Sequence, residues 1–166
     1  MVETTRGLLY VHSAPSALCP HVEWAVGGVL GVPTPLSWTP QPAQRGSYRA
    51  ELSWTGAAGS AAALASALKG WERLRFEITE DASRGTEAHR YSYTPSLGIF
   101  HALTGVHGDI LVPEYRIASA IAKEALGGQS IHAALDELLG RSWDDELEIF
   151  RHAAEGAPVR WLHKVV

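Results

Sequence analysis

The side chains with the most evident chemical capacity lie together near the N-terminus: His12, Ser13, Ser16, Cys19 and His21. A thiol at a helix start is drawn toward its thiolate by the helix dipole, and a neighbouring imidazole can take its proton. Cys19 with His12 or His21 is therefore the candidate catalytic set, suited to attack on an acyl or phosphate-bearing substrate. Ser13, Ser16, Cys19 and His21 form the corresponding candidate ligand-binding turn. The competing reading is plainer: a lone cysteine is a small buried filler, and serines ahead of a helix are caps. No Gly-rich phosphate loop accompanies the turn.

The eight histidines form no HExxH pair and no His-x-His, so no metal site is expected. Folding could still gather His12, His101 and His107, which lie on or beside predicted strands. Trp38 and Trp54 sit in near-copies of one segment, LSWT, and could stack across two strands. On a covered sheet face they are core, which strand alternation favours; on an open face they would bind a ligand or partner. His107-Gly108-Asp109 reads as a turn.

The elements that must position these residues follow from periodicity. Gly7–His12 reads as a buried strand. Val22, Ala25, Val26, Val29 and Leu30 recur at helical spacing after Pro20, and Gly31 and Pro33 end that helix. Leu36–Thr39 and Tyr48–Thr55 suggest a hairpin with a long polar connection. Residues 59–70 form an Ala-rich helix. Leu74, Phe76 and Ile78 alternate with Arg75, Glu77 and Thr79, which predicts a half-buried strand. The order strand, helix, strand, strand, helix, strand is that of a ferredoxin-like βαββαβ unit over residues 1–80. Residues 81–90 are charged and aperiodic, an exposed loop. Residues 91–166 are expected to add a β-hairpin, three helices and a closing strand over Val159–Val165, packed on the first unit. Whether they form their own unit or extend the first sheet as one continuous mixed sheet stays open. The fold class is α+β.

Composition bounds the function. With 46% hydrophobic and 19% charged residues the chain is globular. The net charge of −4, without a basic run, argues against nucleic acid and against an anionic membrane surface. A single cysteine leaves no internal disulfide, and neither a signal peptide nor an 18-residue apolar span is expected, so the predicted location is the cytoplasm.

Three segments carry a resemblance over about residues 5–165: TRGLLYVHSAPSALCPHVEWAV, the pair LSWTPQP and ELSWTG, and LGIFHALTGVHGDILVPEYRI. They are similar to the actinobacterial family DUF3145. The resemblance implies an accessory or regulatory role linked to fatty-acid metabolism, and it supplies no activity, catalytic residue or cofactor to carry over.

The leading expectation is a non-enzymatic binding or regulatory protein that engages a protein partner or small ligand, as a monomer or homodimer, without a cofactor. The alternatives are a small enzyme built on Cys19 with a neighbouring histidine, and a structural subunit of a larger complex.

Overall fold

A computed structural model describes residues 2–153. The expected closing strand at Val159–Val165 lies outside the described residues. The elements are β1 (Thr4–Pro15), α1 (Cys19–Leu30), β2 (Thr39–Pro40), β3 (Ser47–Ala57), α2 (Ser60–Leu68), β4 (Arg75–Glu80), β5 (Ala88–Thr94), β6 (Gly98–Thr104), β7 (Ile110–Leu111), α3 (Glu114–Ala125), α4 (Ile131–Leu138) and α5 (Arg141–His152). The molecule is α+β. Its strands form one sheet in the order β2-β3-β1-β4-β5-β6-β7. Among the described residues each pairing is antiparallel, so the described sheet is antiparallel rather than mixed. β5 pairs directly with β4, and the described C-terminal strands therefore continue the first sheet.

Strand alternation gives the sheet two faces. Leu9 and Val11 of β1, Trp54 of β3, Phe76 and Ile78 of β4 and Tyr93 of β5 share the first face. There they meet Val22, Ala25 and Val26 of α1 and Ala61, Leu64, Ala65 and Leu68 of α2 in one apolar core. The alanines of α2 let that helix lie close to the strands. Gly7 makes the same accommodation in β1: it stands opposite Trp54, and a Cβ there would come within 1.8 Å of the Thr79 carbonyl oxygen and 2.6 Å of the Trp54 ring.

The second face carries His12, Glu77, Ser92 and Phe100, and α5 covers it. Trp143 packs on Phe100 and donates from Nε1 to the Gly98 carbonyl at 2.9 Å. Phe150 lies beneath the Arg75 guanidinium, 4.4 Å from ring centre to Cζ. Gly140 precedes α5 with φ +70°, and a Cβ there would meet the Phe100 ring at 2.7 Å. The strand 75–80 is thus not half-buried as its alternation predicted. Its polar phase is roofed by a helix, and Glu77 is fully buried.

The predicted hairpin is shorter than expected. Only Thr39 and Pro40 pair with β3, opposite Arg49 and Tyr48. Trp54 instead faces Gly7 of β1, so Trp38 and Trp54 form no cross-strand stack.

Candidate functional site

The predicted 12–21 cluster divides among separate surroundings. His12 lies at a bulge. Between Val11 and Ala14 the register of β1 slips by one residue against β3, and between Val11 and Ser13 it slips against β4. A bulge takes a residue out of the ladder and re-aims it. The His12 carbonyl is taken up by Gln41, whose Nε2 donates to it at 2.7 Å.

The His12 ring points under α5, where Nε2 meets Oε2 of Glu77 at 2.7 Å. A carboxylate can only accept, so Nε2 carries the hydrogen. Arg151 of α5 donates to the same carboxylate through Nε, 3.1 Å from Oε2, and through Nη2 to Oε1. Ser92 donates to Oε1 at 3.2 Å. Arg151 Nη2 also reaches Asp144 Oδ1 at 3.0 Å. Burial alone would push the Glu77 carboxyl up. The hydrogen bonds and charges of His12 and Arg151 outweigh it and hold the group at about 2. Both Glu77 oxygens are engaged, and the His12, Glu77 and Arg151 side chains are almost wholly removed from water. This network clamps α5 to the sheet.

Cys19 belongs to the opposite face, in the apolar core, and its Sγ lies 3.6 Å from the Pro15 carbonyl. Burial first, and then the charge of Glu23, push its thiol up rather than down. A nucleophilic thiol needs the reverse shift. His21 is exposed on α1 with its ring 6.1 Å from Trp71. Ser13 is buried and accepts from Arg75 Nη1 at 3.2 Å, whereas Ser16 is exposed. Neither serine caps α1, which has no side-chain cap. Among the described histidines, those that converge are His89 and His101, with Nδ1 and Nε2 2.8 Å apart, rather than His12, His101 and His107. Among the described residues, no three or more His, Cys, Asp and Glu side chains gather as a metal-binding group.

Trp38 and Trp54 are placed with the core, Trp54 being 3% exposed. Among the described tryptophans, the one left open to solvent is Trp24, at 79%. It falls outside the Val22-Ala25-Val26-Val29 stripe, which is the signal that marks it. α1 ends at Gly31 (φ +76°), whose N–H returns to the Gly27 carbonyl at 2.9 Å. The chain then runs back along the helix. Glu23 pins it there: Oε1 accepts from the Leu36 N–H at 2.9 Å and from Trp38 Nε1 at 3.0 Å. Gly27 admits this close approach, since a Cβ there would sit 3.0 Å from the Val32 carbonyl oxygen. At Gly28 a Cβ would meet nothing within 4 Å. The result is a surface groove of about 830 Å³ lined by Pro20, Trp24, Gly28, Val32, Pro33 and Pro35. Val32 is 58% exposed. Among the described residues no helix is long and apolar enough to cross a membrane.

Comparison with known proteins gives one family. Residues 8–164 match the family described as "Protein of unknown function (DUF3145)". No curated protein and no solved structure matches the chain.

Proposed function

From the premise that the chain belongs to the DUF3145 family, we propose that it works by binding, as a non-enzymatic accessory protein that takes an apolar segment of a partner protein into the groove between α1 and residues 31–35. The observation that carries this reading is Trp24, exposed beside a glycine floor and a proline-rich wall. An exposed tryptophan over a preformed apolar groove has the composition of a binding hot spot. The return of residues 31–38 along α1 is fixed by Glu23, so the groove is preorganised and little ordering entropy is lost on binding. The lone, buried Cys19 accords with a cytoplasmic location.

A photo-crosslinker in place of Trp24, introduced in the native cell, tests this. A discrete adduct is expected from position 24 and none from Val106, which is 94% exposed and remote in sequence. Gly28→Arg should fill the groove without disturbing the fold and abolish the adduct. An adduct indifferent to Gly28→Arg, or none at all, overturns the reading.

A further inference from the structure

Toward β6 the first sheet face opens to solvent, with His101 exposed, and there β5 and β6 place His89, Tyr91 and His101 side by side. Tyr91 is directly opposite His101 in the ladder, and His89 lies diagonally across from it on the same face. The rings form a stacked row: His101 to Tyr91 is 4.6 Å between centroids, and His89 to His101 is 5.1 Å. The Nδ1 of His89 and the Nε2 of His101 face each other at 2.8 Å.

We propose that His89 and His101 form a two-imidazole site for a divalent transition metal of the Cu2+ or Ni2+ class, open to water or to a further ligand on its remaining positions. Two nitrogens at about 2.05 Å from one ion and at right angles to each other are ~2.9 Å apart. The observed separation matches that spacing, and adjacent right-angle positions are those of the tetragonal geometry Cu2+ and Ni2+ prefer. In the hydrogen-bonded pair the two nitrogens point along the line between them, so each ring turns by roughly 45° to bring both lone pairs onto one ion.

Proton balance is simple. Two neutral imidazoles in contact share one hydrogen along the nitrogen–nitrogen line. On metal binding the ring that carried it moves that hydrogen to its other nitrogen, so both remain neutral and no net proton leaves. Tyr91 stacks against His101 along one side of the pair. Glu80, opposite His89 on β4, brings a negative charge to the same face while its Oε1 accepts from the Gly59 N–H. Arg116 opposes it as a neighbouring cation.

Pulsed EPR of the protein titrated with Cu2+ alone provides the test. Loss of an outer-shell partner of a metal ligand already costs roughly tenfold in affinity, so loss of a direct ligand should cost at least that. One equivalent is expected to bind with the spectral signature of two imidazoles. His89→Gln and His101→Gln should each weaken it by roughly tenfold or more and reduce the signature to one imidazole; the double variant should remove both effects. His132→Gln and His152→Gln, which alter the surface pairs with Asp136 and Glu148, should change nothing. A two-imidazole signature that survives the double variant, or wild-type protein that shows none, overturns the proposal. Circular dichroism establishes that each variant is folded.

Discussion

The two covered faces of the sheet are held by different physics. Under α1 and α2, Leu9, Val11, Phe76, Ile78, Leu64 and Leu68 exclude water by apolar contact alone. Under α5, Glu77, His12, Ser92 and Arg151 occupy the equivalent depth as a hydrogen-bonded ionic set. Under α1 and α2 the first face tolerates change in proportion to the volume lost, and Leu9, Val11, Phe76, Ile78, Leu64 and Leu68 carry no group for pH to act on. The second depends on every partner being present and on Glu77 being ionised. A buried pair of this kind gives geometric specificity to the docking of α5 more than net stability, since desolvation offsets much of its attraction.

The largest effect that would separate the faces is Arg151→Met. It leaves Glu77 buried without its guanidinium and should cost about 3–5 kcal/mol in denaturant unfolding at neutral pH. Adding Glu77→Met should recover most of that loss; if the double variant is no better than the single, the two side chains do not act as a pair. On the other face, Leu64→Ala should cost about 2–5 kcal/mol through transfer and cavity terms, by the same amount at pH 3 and at pH 7.

The acid limb of stability sharpens the contrast. Glu77 is held at about 2 in the fold against an ordinary 4.5. Its folded value is the lower one, so its contribution is complete above pH 4.5 and is lost as pH falls from there toward 2. Linkage gives a magnitude of roughly 3 kcal/mol. Unfolding free energies measured across that window should fall for the wild type and stay flatter for Glu77→Gln. The smallest effect belongs to the surface: Trp24→Ala should move stability by less than about 0.5 kcal/mol. A larger loss would make Trp24 part of the packing and remove the basis for a binding groove.

Much of the frame was legible. Alternation at Tyr48–Trp54 and Leu74–Ile78 marks the strands, and the Val22-Ala25-Val26 spacing marks α1, because a period records which side of an element is apolar. It does not record whether the other side is covered. Glu77 therefore looked solvated, and nothing local could show that Arg151, 74 positions away, would reach it. The cluster at residues 12–21 failed as a unit for a related reason. Proximity in sequence places His12 and Cys19 together, but a strand and a bulge send one ring beneath α5 while the thiol enters the core beneath α1. Trp24 could be found by elimination from the helical stripe, whereas the wall of its groove depends on Glu23 reaching Leu36 and Trp38.

Gln41 couples two distant parts of the chain. Its amide nitrogen has two hydrogens. One goes to the His12 carbonyl at 2.7 Å and the other to the Phe150 carbonyl of α5 at 3.3 Å. One side chain in a connecting loop thus fastens the first strand to a helix residue 109 positions beyond the loop residue itself. The amide can close both bonds only after β1 has taken its bulged register and the loop has settled over it. The seating of α5 is therefore coupled to the register of β1, and the slowest hydrogen exchange of that helix should report the opening of the N-terminal strand as well as its own.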